Sequence, residues 1–165
     1  MSAATQNMAS ATVEIMNPII TATLQVFETM LGCAATRREI ANGQDKIPWN
    51  QVTAVIGLSG RASGSICLSM PRRTAFSAVH RMVDEQVTEV NSLVCDTVGE
   101  FANVIAGKAK DTITRLNLDL GLPNVITGDA YAIQFPTRSF PMYVTFTSEI
   151  GPFLIAFGFA FEETR

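Results

Sequence analysis

The chain reads as an α/β sandwich of the α+β kind, in which long helices pack on a mainly antiparallel sheet. Three observations predict this. Segments with helical periodicity and segments with strand alternation follow one another as α, β-rich, α, α, β-rich. The β segments are joined by short turns rather than by a repeated β-α-β crossover, so neighbouring strands run antiparallel. And 165 residues with 47% hydrophobic and 16% charged content can bury a sizeable core within one domain.

Residues 1–12, MSAATQNMASAT, lack an apolar stripe and read as a flexible tail, leaving one domain over residues 13–163. Asn17-Pro18 reads as the start of the first helix, with Asn17 as N-cap and Pro18 at the first helical position. Ile20, Leu24, Phe27, Met30 and Leu31 form its apolar face, and Gly32 ends it. A short strand over residues 36–40 leads into a loop carrying Asn42-Gly43 and Pro48. Strands over residues 52–59 and 64–70 flank a hairpin turn built on Gly60. Pro71 opens a helix with Ala75, Val79, Met82 and Val83 inward. The longest helix runs from about residue 90 to 118, on the order of 40 Å at 1.5 Å per residue. Beyond Pro123, residues 125–135, 143–150 and 153–161 read as strands, with Gly151-Pro152 as a tight turn.

Composition excludes several functions. A net charge of −3 without a basic run leaves no footprint for nucleic acid or an anionic membrane. The longest strongly apolar stretch, residues 153–161, is too short to span a bilayer. Cys33, Cys67 and Cys95 lie far apart and form neither a Cys-x-x-Cys pair nor a Cys/His cluster. They read as buried reduced thiols, which suits the cytoplasm, and no metal site is expected. The chain has no glycine-rich phosphate loop, no Gly-x-Ser-x-Gly elbow and no His-Glu-x-x-His. Its one histidine, His80, reads as a surface or boundary residue. Without a nucleophile or metal cage of its own, the chain needs a partner that brings the reactive centre.

One stripe of the longest helix offers chemistry to such a partner. Asp96, Glu100, Asn103 and Gly107 share a face at helical spacing, while Val94, Val98, Phe101, Ile105 and Leu116 face the core. Such a polar face is ordinarily solvated surface. The alternative is a strip that enters another protein's cleft, where a carboxamide holds water by both donating and accepting hydrogen bonds. Gly99 and Gly107 each cost a helix about 1 kcal/mol relative to alanine. Either a partner's backbone comes close or helices within the domain pack tightly there. The spacing echoes in the first helix as Thr21, Gln25, Glu28 and Gly32, offset by 75 residues, which suggests pseudo-duplicated halves.

The pair Glu100-x-x-Asn103 preceded by Asp96, running on into NVIAGKAKDTI, resembles the signature of the CheX/CheC/FliY chemotaxis phosphatases, and most closely CheX. VEIMNPIITATLQVFETMLG is similar to the family's opening helix, and LGLPNVITG to the connector after its catalytic helix. The resemblance implies a CheC-like sandwich and removal of phosphate from the phosphoaspartate of a CheY-type response regulator. It implies that Asn103 orients the attacking water while Glu100 pairs with the receiver's lysine. Asp96, Gly99 and Gly107 become partner-facing, with Asp96 alternatively supporting the helix surface. The resemblance brings no cofactor of the chain's own, places Mg2+ in the receiver, and implies a homodimer. In the first helix Gln25 and Glu28 replace the family's glutamate and asparagine, so only one strip is expected to act. The competing reading is a non-catalytic receiver-binding adaptor related to flagellar switch modules. A weaker third is a small-molecule sensor.

Overall fold

Among the described residues, seven strands form a single sheet in which every pairing is antiparallel. The computed structural model describes residues 2–44 and 46–162. Helix α1 (Ala3–Leu31) leads to β1 (Ala35–Asn42), β2 (Val52–Ser59), β3 (Ala62–Met70) and α2 (Arg72–Val83). Helix α3 (Ser92–Thr112) follows, then a 3-10 turn (Thr114–Leu116), β4 (Asp119–Leu120), β5 (Asn124–Thr127), β6 (Met142–Ser148) and β7 (Phe153–Phe161). The strand order is β1-β6-β7-β3-β2-β4, with β5 also on β2, so β2 carries two short partners along its outer edge.

The helices cover one face of the sheet. Phe27 of α1 stacks on Phe153 of β7 at 4.1 Å between ring centroids, and Phe153 stacks on Phe146 of β6 at 4.9 Å. Phe101 of α3 meets Phe27 at 5.7 Å in a tilted arrangement. This aromatic chain ties both long helices to the sheet through large buried surfaces. Arg81 of α2 adds a polar clamp, donating to the Leu31 carbonyl at the end of α1 and to Glu149 in the β6–β7 turn. Gly32 takes the left-handed conformation (φ 61°) that ends α1, as expected, and the Gly32 N–H donates to the Glu28 carbonyl.

Four expectations need correction. Residues 3–12, read as a tail, are the first turns of α1, whose N-cap is Ser2; its side chain accepts from the Thr5 N–H. The helix gains a partner there: Thr12 and Ile15 are buried, and Glu14 pairs with Arg115 beyond α3. Met1 and Glu163, which bound the expected tail and domain, lie outside the described residues. Asn17-Pro18 is therefore interior to α1, where Pro18 removes one hydrogen bond that tertiary packing makes good.

Secondly, α3 ends at Thr112. The consecutive β-branched residues Thr112, Ile113 and Thr114 disfavour helix, and Asn117 at φ 46° turns the chain into β4. Leu116 is buried as expected, but from the 3-10 turn.

Thirdly, the strand expected over 125–135 stops at Thr127. Its alternating Tyr131, Ile133 and Phe135 instead cross the sheet's other face, where Ile133 and Phe135 pack on a second cluster of Ile47, Cys67, Leu154 and Ala156. The Tyr131 hydroxyl donates to the Asn50 carbonyl and bonds with Thr53, while Trp49 stacks over the ring. Gly158 makes room for Phe135: a Cβ there would lie 2.8 Å from the ring.

Lastly, Val83, expected inward, is 46% exposed at the end of α2.

Because Phe101 joins α3 to α1 and thence to the sheet, Phe101→Ala should cost about 3–5 kcal/mol of unfolding free energy. Chemical denaturation followed by circular dichroism measures this, and a loss under 1 kcal/mol would mean the aromatic chain does not tie the layers.

Candidate functional site

Helix α3 is unbroken from Ser92 to Thr112 and capped by Asn91, whose side chain accepts from the Val94 N–H at 3.0 Å. Its inner face is apolar apart from Thr97: Val94, Val98, Phe101, Ile105, Ala106 and Ala109 are all 0% exposed. Contacts to α1, α2, β2 and β3 surround that face. The outer face is fixed by the same packing, since a helix anchored along one side cannot rotate.

At 100° per residue, Asp96, Glu100, Asn103 and Gly107 fall within about 60° of one another on that outer face. Asp96 and Glu100 are exposed, while Asn103 and Gly107 are half-buried. Among the described residues, neither Glu100 nor Asn103 forms a side-chain hydrogen bond or ion pair. No buried side-chain nitrogen or oxygen there lacks a partner, so the rest of the interior has met its polar requirements. The helix thus holds out a carboxylate and a carboxamide, about 4.5 Å apart along its axis, with their bonding capacity unused.

Gly99 departs from the expected partner-facing set. It is buried, about 40° round the helix from Asn103, and covered by the connector between β4 and β5. A Cβ on it would meet Pro123 at 3.6 Å and Val125 at 3.5 Å, which is ordinary contact. Packing within the domain accounts for this residue. At Gly107 nothing lies within 4 Å of a Cβ position, so that side stays open.

The echo on α1 differs in chemistry and lies fully exposed. Thr21, Gln25, Glu28 and Gly32 are exposed, but the pair at the corresponding positions is Gln25 and Glu28. His80 is exposed, with Nδ1 3.9 Å from Asp84. Among the described residues, no group of three or more His, Cys, Asp or Glu could hold a metal ion. Nor is any helix there long and apolar enough to cross a membrane.

The thiols are buried at Cys33 and Cys67 and half-buried at Cys95, one residue before the strip. Burial pushes the Cys67 thiol up to about 12. Burial also raises Cys95, and the neighbouring Asp96 carboxylate adds to that rise.

A sheet backed on one face by helices, one of which holds out a Glu and an Asn with no side-chain partner, defines the class of protein. The comparisons give the class a family. The family model described as chemotaxis phosphatase CheX matches residues 52–147, which is β2 through most of β6 and includes all of α3. The chain belongs to that family. It is 28% identical over 118 residues to the CheY-P phosphatase CheX of Thermotoga maritima, covering 69% of this chain and 76% of that protein. The crystal structure of a chemotaxis protein CheX from Desulfovibrio desulfuricans superposes with a TM-score of 0.80 at 28% identity, over 89% of this chain and 99% of that one. A CheX–CheY–BeF3–Mg2+ complex from Borrelia burgdorferi matches at 25% identity and a TM-score of 0.69, over 90% and 97% of the two chains.

Sequence reasoning missed the β4–β5 connector as a border of the strip. The contact of Pro123 with Gly99 joins positions 24 residues apart and leaves no periodic trace.

Two predictions follow from this geometry. Gly99→Ala should raise stability by up to about 1 kcal/mol and leave partner binding intact, whereas Gly107→Ala should stabilise equally yet weaken any partner seated on the strip. Thermal unfolding and binding titration separate these; equal effects of the two substitutions on binding would contradict the assignment. Burial is the larger cause of the raised Cys95 pKa, but removing the Asp96 charge lowers it and raises the thiolate fraction, so Asp96→Asn should speed alkylation of Cys95 at pH 8. Cys67 should stay unmodified until unfolding. Peptide mass spectrometry after timed iodoacetamide treatment reads both.

Proposed function

We propose that this protein is an aspartyl-phosphate phosphatase that ends signalling by a CheY-type response regulator, inserting Glu100 and Asn103 of α3 into the receiver's phosphorylation site. The observation that carries the reading is that unpaired carboxylate–carboxamide pair on a helix whose inner face is locked. Membership in the CheX family supports it, as does the relative from Thermotoga maritima named a CheY-P phosphatase.

Phosphoryl transfer asks little covalent help of a protein, because positioning and electrostatics supply most of the acceleration. Asn103 can accept a hydrogen bond from a water through Oδ1 and donate another through Nδ2, fixing that water in line with phosphorus. The water oxygen then bonds to phosphorus as the bond to the aspartyl oxygen breaks, releasing phosphate and the receiver's free carboxylate. A carboxylate in place of Asn103 would repel the phosphoryl oxygens. Two unit charges 4 Å apart at an effective dielectric of about 20 oppose each other by roughly 4 kcal/mol. Glu100 supplies register by pairing with a lysine of the receiver. Mg2+, which neutralises phosphoryl charge in such chemistry, would come with the receiver. The reading includes a homodimer and a cytoplasmic location, where phosphorylated receivers operate.

Phosphate release from a phosphorylated receiver tests it. Asn103→Ala and the isosteric Asn103→Asp should each cut the acceleration about 10²–10³-fold, the range for losing one preorganised polar group. Binding to a beryllofluoride-activated receiver should survive Asn103→Ala within a few-fold, while Glu100→Gln should weaken it about tenfold. Full activity in Asn103→Ala would remove its water-orienting role. Tight binding by the wild type with no change in phosphate lifetime would instead establish the adaptor reading.

A further inference from the structure

We infer that Leu122 is an apolar docking residue for the receiver, setting how tightly it is held rather than how fast the phosphoryl bond breaks. The inference rests on the receiver-phosphatase reading and extends it to a residue outside α3. Among the described residues three large apolar side chains are exposed: Val13 at 50%, Val83 at 46% and Leu122 at 87%. Single exposed apolar residues are ordinary on protein surfaces, so exposure alone decides nothing. Position does.

Leu122 stands in the β4–β5 connector immediately before Pro123, whose ring lies 3.6 Å from the Cβ position of Gly99. Gly99 in turn precedes Glu100 and sits one turn from Asn103. Chaining that contact through side-chain bonds and Cα steps of about 3.8 Å puts the Leu122 backbone within about 14 Å of Glu100. A stable interface buries roughly 800 Å² per partner, a patch about 16 Å in radius. A receiver centred on Glu100 and Asn103 therefore has a footprint wide enough to reach Leu122.

The residue is also held for the purpose. The Gly121 N–H donates to the Gly57 carbonyl at 2.8 Å, and Asn124 and Val125 pair with Val55 and Ala54 of β2. Pro123 restricts the residue before it to extended conformations. The side chain is thus presented from a short segment pinned at both ends, and little order is lost when a partner covers it. Leu93 and Val104, which flank the strip on α3, are half-buried against the core, whereas Leu122 is 87% exposed and free to be covered by a partner. The partner it fits is a receiver with an apolar surface beside its phosphoaspartate pocket.

The test compares wild type, Leu122→Ser, Leu122→Met and, as a remote control, Val83→Ser. Each is assayed for steady-state phosphate release from a phosphorylated CheY-type receiver and for binding to the same receiver activated with beryllofluoride and Mg2+. Leu122→Ser should raise KM and Kd about tenfold with kcat within twofold of wild type. Leu122→Met should recover most of that loss, and Val83→Ser should match wild type. Unchanged KM and Kd in Leu122→Ser, or a fall in kcat alone, would overturn the assignment while leaving the phosphatase reading in place. A wild-type protein that neither binds nor dephosphorylates any receiver would overturn that reading, and the role of Leu122 with it.

Discussion

The burial of the inner face of α3 is the constraint on which everything else depends. Val94, Val98, Phe101, Ile105, Ala106 and Ala109 exclude water completely, and each large side chain among them contributes roughly 1.5–3 kcal/mol through burial. The helix is wedged among α1, α2 and the sheet, so its rotation about its own axis is fixed. Fixing the rotation fixes where Glu100 and Asn103 point. A side chain on a loop would need to be ordered at the moment of binding; these two are aimed before any partner arrives. In the function proposed above, where the reaction turns on placing one water, that preorganisation is the protein's main contribution.

The two faces of the sheet divide the labour. On one, the chain Phe101–Phe27–Phe153–Phe146 carries rigidity from α3 through α1 into β7 and β6. On the other, residues after Gly128 lie over Cys67, Leu154 and Ala156, so these side chains are buried on that face as well. The outer edge of β2 holds β4 and β5, and the connector between them borders the strip on the side of Asn103.

Much of this was legible in the residues themselves. The 3.6-residue pattern of α3 identified both its buried face and its polar strip, because a strong periodicity survives tertiary context. The alternation in β2 and β3 was equally clear, and β7 was legible as a continuous apolar run. What escaped were features set by contacts distant in sequence. Residues 3–12 carry no apolar stripe of their own, yet Thr12 and Ile15 find a surface to bury against and Glu14 finds Arg115, so helix extends past the expected cap at Asn17. Tyr131, Ile133 and Phe135 alternate as a strand does, but they spend their apolar faces on covering the sheet rather than joining it. Gly99 illustrates the limit for sites: a helix glycine beside a polar strip fits a close partner or a close neighbour equally well, and only the position of Pro123 distinguishes them.

The most direct measurement is a crystal structure of this protein bound to its receiver activated with beryllofluoride and Mg2+. The account predicts α3 seated over the beryllofluoride. The Asn103 carboxamide should lie within about 3 Å of a water opposite the aspartyl oxygen, and the Glu100 carboxylate on a lysine of the receiver. A complex joined through any other surface, with both side chains left in solvent, would contradict it.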